Sequence, residues 1–183
     1  MSEDIFMMPA TELVARYKAK SLSPVEATQA VLDRVDAVNE TYNAFCVVDA
    51  DRALTDARES EARWQRGEPA GLIDGVPATI KDLMLSKGWP TLRGSKTVDP
   101  DQAWDEDAPI VARMREHGAV FLGTTTTPEF GWKGVPASPV RGSTGNPWTP
   151  ALCPGGSSGA PAVATALGVG TLHHRSVGCG PLP

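Results

Sequence analysis

The sequence predicts an α/β layer fold, a mixed central sheet covered by helices. Three observations carry it. An amphipathic segment opens with a helix-capping signature at Ser23-Pro24-Val25-Glu26. Two short apolar runs, Ile73 to Ile80 and Ala119 to Leu122, are bounded by Gly and Pro and fit strands. Helical patterns alternate with these runs along the chain.

Taken in order, Ala10 to Lys20 places Leu13, Val14 and Tyr17 at helical spacing. The capped segment that follows puts Thr28, Val31, Leu32, Val35 and Val38 on one face of a helix ending near Glu40. Asn43 to Val48 reads as a short strand. Asp49 caps a mostly polar third helix, Asp51 to Arg66, stopped by Gly67 with Pro69 beyond. These three helices read as a cover. Ile73 to Ile80, interrupted by Gly75 and Pro77, is a strand entered through a turn, with Lys81 at its end. After a long loop a helix from Pro109 to His117 stops at Gly118, and Ala119 to Leu122 is a buried strand. Thr124 to Pro154 is irregular. Gly155-Gly156-Ser157-Ser158-Gly159 then leads into an Ala-rich helix through Leu167.

With 183 residues and 41% apolar content the chain can bury a core, so disorder is not the default. A formal net charge of -5 without basic runs disfavours nucleic acid as a partner. The acidic start and the lack of an apolar stretch near ~20 residues point away from export and the membrane, toward the cytoplasm. Cys46, Cys153 and Cys179 are widely spaced and the only histidines are His117, His173 and His174, which indicates neither disulfides nor a metal site. No cofactor is expected.

Two features could carry chemistry. Lys81 ends an apolar strand. It reads either as a solvated strand-end cation or, given Ile80 and Leu83 beside it, as a buried amine. The Gly155 to Gly159 turn reads either as a flexible loop or as an anion cradle at a helix N-terminus. No Gly-Lys-Ser/Thr follows it, which argues against a P-loop.

Four blocks, in order, resemble the amidase signature family. They are Gly75-Val76-Pro77-Ala78-Thr79-Ile80-Lys81-Asp82, then Gly118 to Gly131 (GAVFLGTTTTPEFG), then Gly145-Asn146-Pro147-Trp148, then Pro154-Gly155-Gly156-Ser157-Ser158-Gly159. The resemblance runs over roughly residues 10 to 170. It implies a Ser, cis-Ser, Lys triad in which Lys81 is the lysine and Ser157 the middle serine, after a cis peptide, with Gly155, Gly156 and Gly159 as motif glycines. It also implies that Phe130 and Gly131 lie near an acyl pocket, although ordinary loop packing explains them as well. A hydroxyl attacks an amide only when a base takes its proton, and a neutral amine relayed through a second hydroxyl can do so. For Lys81 to be half neutral at pH 7 its pKa must fall by about three pH units, about 4 kcal/mol. Asp82, on the opposite side of the strand, reads as structural.

The family's nucleophilic serine follows the middle serine by 24 residues, where this chain has Pro181. Resemblance fades near Leu172, as a reading-frame shift would produce, with a genuine short variant as the alternative. The domain reading is thus one incomplete amidase domain: a helical cover at 10–67, the start of the α/β core at 68–172, and a non-family tail at 173–183. Ser176 and Cys179 carry little weight as replacement nucleophiles, being at the wrong offset in a tail without periodicity. His173 and His174 belong to the same tail. The resemblance implies an amidase that converts a small-molecule amide and water to carboxylate and ammonia, expected to be truncated and inactive as encoded. The alternatives are an amidotransferase A-type subunit or a catalytically dead binding partner. Its protein partners would be an amidotransferase-type partner subunit or a second copy of the chain. A half-built sheet leaves edges unpaired, so a poorly stable product is expected.

Overall fold

A computed structural model describes residues 4–176. A single turn at Ile5–Met7 leads into α1 (Ala10–Lys18), α2 (Pro24–Tyr42), β1 (Phe45–Val48) and α3 (Ala50–Arg66). Then come β2 (Pro77–Lys81), α4 (Pro109–Glu116), β3 (Val120–Thr125), a hairpin of β4 (Ala137–Ser138) and β5 (Gly142–Ser143), α5 (Gly159–Leu167) and β6 (Leu172–His173).

The capping box forms as the sequence predicts. Ser23 Oγ accepts from Val25 N–H at 2.9 Å, and Glu26 Oε2 accepts from Ser23 N–H at 2.8 Å. The helix runs on to Tyr42, because Asn43 takes the left-handed conformation that closes its C-terminus and the strand starts only at Phe45. Asp49 caps α3 through Arg52 N–H, and Gly67 ends it at φ 77°.

Four strands form one sheet in the order β1-β3-β2-β6. β1 is antiparallel to β3, while β3 and β6 flank β2 in parallel. The strand expected from Ile73 begins at Pro77 instead. Residues 71–75 form a turn in which buried Asp74 takes a two-pronged ion pair from Arg63, at 3.0 and 2.7 Å, and accepts from Ala70 N–H. The short strand β6 is a second departure from the sequence expectation. His173, expected in the tail, pairs with Thr79 of β2.

Each residue of β2 and β3 is buried, as expected for strands covered on both faces. On one face, Val31, Leu32 and Val35 of α2, Ala53 and Ala57 of α3 and Val163 and Ala164 of α5 pack with Val120 and Leu122. On the other, Val111 of α4 and Trp89 pack with Ala78, Ile80 and Phe121. Side chains alternate along a strand. With Ala78 and Ile80 turned to α4, Lys81 is left facing α5.

Candidate active site

Lys81 ends β2, the strand flanked by β3 on one side and β6 on the other. The carboxyl ends of parallel strands at such a branching of the chain are the usual place for a ligand crevice. Its side chain is fully buried, so the solvated strand-end reading does not hold.

The partner of Lys81 comes from the turn before α5. Gly155 adopts φ 85°, the Gly156–Ser157 peptide is cis, and Ser158 is the N-cap of the helix. A side chain on Gly156 would press on the backbone of Gly134 and Val135 at about 3.0 Å, and one on Gly159 would meet Pro136 at 2.8 Å. Both glycines let this turn sit hard against the preceding loop. The turn is therefore a fixed platform, and it sets two hydroxyls on the amine. Lys81 Nζ lies 2.9 Å from Ser157 Oγ and 3.0 Å from Ser158 Oγ.

Among the described residues a third hydroxyl meets the amine. Ser176 Oγ is 2.9 Å from Lys81 Nζ, and Ser158 Oγ donates to the Ser176 carbonyl at 2.7 Å. Ser176, given little weight on sequence offset, is thus brought into contact with Lys81. β6 runs parallel to β2 and delivers the residues after it to the same sheet end as Lys81. No spacing rule in the sequence reveals this, because the pairing of Thr79 with His173 closes a separation of more than ninety residues. Ser158 is a further residue of the site that the sequence reading does not single out, although it stands beside Ser157. Pro181 and Cys179 lie outside the described residues.

Burial pushes the Lys81 amine down from 10.5 to about 8. The adjoining N-terminus of α5 acts in the same direction, since its positive dipole end disfavours an ammonium. His174 lies near enough to feel the same charge. Its imidazole is held below its ordinary value by burial and by Lys81, and its Nδ1 is buried without a partner among the described residues. His173 uses both ring nitrogens, Nδ1 with Thr79 Oγ1 at 2.8 Å and Nε2 with the Gly170 carbonyl at 3.0 Å, leaving neither for a metal. Burial drops it to about 4.

Asp82 points away from this cluster and accepts from Gly94 N–H at 3.1 Å. Burial pushes its carboxyl up to about 6. The loop it holds touches the turn at Glu129–Gly131, where Phe130 N–H donates to the Arg93 carbonyl and Ser95 Oγ donates to Glu129. Phe130 is about half exposed, and a side chain on Gly131 would meet Leu83 at 2.6 Å. The hydrogen bonds that converge on Lys81 include neither of them.

The family model named Amidase matches residues 26–176. This chain belongs to the amidase family. It is 39% identical over 178 residues to an acylamidase of Rhodococcus erythropolis, covering 97% of this chain and 37% of that one. It is 41% identical over 175 residues to the A subunit of the glutamyl-tRNA(Gln) amidotransferase of Acidothermus cellulolyticus, covering 92% and 34%. Its fold matches a bacterial aryl acylamidase of the amidase signature enzymes with a TM-score of 0.83 at 31% identity, covering 89% of this chain and 34% of that one. A fatty acid amide hydrolase matches with a TM-score of 0.88 at 25% identity, covering 94% and 31%. The amidase-family chain thus spans about a third of the length of these relatives. Among the described residues no helix is long and apolar enough to cross a membrane.

Proposed function

We propose that this chain supplies the general base of a serine amide hydrolase, with Lys81 taking the proton of an attacking hydroxyl through Ser157. The observation that carries the reading is the buried 2.9 Å contact between Lys81 Nζ and Ser157 Oγ. An ammonium can only donate there. Once neutral, the amine accepts the Ser157 proton while the Ser157 oxygen accepts one from the nucleophile, so a single relay moves the proton inward without charging Ser157. With the amine at about 8, roughly a tenth is neutral at pH 7 and half at pH 8.

The reaction of the whole protein is then amide plus water to carboxylate plus ammonia, through a serine acyl-enzyme. An amide recurs in the names of similar proteins, an acylamidase and an indoleacetamide hydrolase among them, which supports an amide as substrate. Phe130 and Gly131 are assigned to the wall of its acyl pocket, on the strength of an exposed aromatic ring in a turn tied to the loop beside Asp82. Likeness to the A subunit of an amidotransferase supports a variant of this reading in which a partner subunit receives the ammonia; release of ammonia from glutamine distinguishes it.

The test is acyl transfer from a short-chain p-nitrophenyl ester, whose good leaving group makes proton removal the limiting demand. Lys81→Met and Ser157→Ala are each expected to slow p-nitrophenol release about 100-fold or more. Measurable turnover by the folded wild type that both variants match would contradict the proposal.

A further inference from the structure

We propose that Ser176 is itself an acylatable nucleophile served directly by Lys81, reactive toward electrophilic acyl and phosphonyl donors. This rests on the reading of Lys81 as a base and goes beyond it, since that reading needs only Ser157.

Among the described residues three hydroxyls meet the amine, and they are not equivalent. Ser157 is 6% exposed, so little of it is open to an incoming electrophile. Ser158 has its proton committed to the Ser176 carbonyl at 2.7 Å. Ser176 is half-buried, within 2.9 Å of Lys81 Nζ, and no other acceptor among the described residues holds its proton. It alone combines access, contact with the base and a proton free to leave. The Ser158 bond fixes its backbone, which limits the wandering that would dilute the encounter. Ser158 is also the N-cap of α5, so negative charge developing at Ser176 forms beside the positive end of a nine-residue helix. The pairing of a serine with a lysine base, without histidine, is sound chemistry on other folds.

With a fluorophosphonate the step balances as follows. The neutral Lys81 amine takes the Ser176 hydroxyl proton, the Oγ–P bond forms, and the P–F bond breaks to release fluoride. With an acyl donor the amine again takes the Ser176 proton, the Oγ–C bond forms, the donor's C–N or C–O bond breaks, and the proton passes from Lys81 to the departing amine or alkoxide.

The experiment treats the whole chain with an alkyl fluorophosphonate and follows intact mass, then maps the modified peptide. One adduct is expected, on Ser176. It disappears in Ser176→Ala and forms at least 100-fold more slowly in Lys81→Arg, which keeps the cation but cannot release its proton. Should Lys81→Arg not fold, the wild-type labelling rate replaces it: a roughly tenfold rise per pH unit levelling off above pH 8 supports the proposal, and a flat profile overturns it. An adduct on Ser157 or Ser158, or none in folded protein, also overturns it. Titration of Lys81 in Ser176→Ala separates the two readings. Where labelling of Ser176 fails, an amine still depressed leaves Lys81 as a base with only Ser176 excluded as nucleophile, and an ordinary amine removes both.

Discussion

The side chains buried along α2 and α3 are mainly apolar, Val31, Leu32, Val35, Ala53 and Ala57 among them beside the hydroxyls of Thr28 and Ser60, whereas at the carboxyl ends of β2 and β3 polar groups crowd together: Lys81, Asp82, Thr124, Thr125, Thr126, Thr127 and Ser157. The first region gains free energy from each apolar group it removes from water. The second gives some of that gain back. Lys81 is buried without a carboxylate partner among the described residues, and Asp82 Oδ1, Thr125 Oγ1, Thr127 Oγ1 and His174 Nδ1 lack hydrogen bonds there. Such groups cost free energy unless they are paired. The contrast teaches where stability and chemistry separate in this chain: the helical cover holds the sheet, and the sheet end holds a costly set of polar groups against it.

The largest expected effect breaks that contrast at its centre. Lys81→Met is expected to lower acyl transfer about 100-fold or more while leaving the chain as stable as wild type or more so at pH 7, because a buried cation is replaced by an apolar chain of similar length. Ester turnover and denaturant unfolding check the two halves. A loss of stability with the loss of rate would mean that Lys81 is structural.

Next, Arg63→Ala leaves the fully buried Asp74 without its ion pair, and is expected to cost about 3–5 kcal/mol in urea unfolding. Leu32→Ala, in the apolar cover, is expected to cost about 2–5 kcal/mol and leave the titration of Lys81 where it was. Both variants sharpen the comparison, since each weakens the support and spares the site.

The acid limb separates two buried groups. His173 sits at about 4 in the fold against 6.5 outside it, so the unfolded chain holds more protons in between and stability is lost as pH falls through that window. Asp82 sits at about 6 against 3.8, so the fold holds more protons and stability is lost as pH rises through its window. The two oppose each other between pH 4 and 6. Asp82→Asn is therefore expected to steepen the rise of stability with pH over that range, by up to about 3 kcal/mol in unfolding experiments. The smallest effect is the cap: Ser23→Ala should cost about 1 kcal/mol, read as a shift in the denaturant midpoint.

Much of the cover is legible in the sequence because its signals are local. Ser23 to Glu26 names a helix start by itself, and the spacing of Val31, Leu32 and Val35 names the buried face. Lys81 and Ser157 are legible only through ordered resemblance over the chain, and the distance between them is a tertiary fact. The start of β2 is misplaced by sequence reasoning because an apolar Ile73 sits in a turn dictated by Asp74 and Gly75, which pair with Arg63 on the preceding helix and with the distant Gly118. Ser176 escapes for a related reason. The two-residue strand before it has no periodicity to detect, and only parallel pairing with Ala78 and Thr79 brings the residues after it to the lysine.

The claim on which the account turns is that Lys81 is a buried amine poised to lose its proton. Nitrogen-15 NMR titration of lysine-labelled protein measures it directly, with Lys81→Met identifying the resonance. A Lys81 resonance titrating near 8 is expected. A Lys81 resonance titrating at the ordinary value of 10.5 would contradict it.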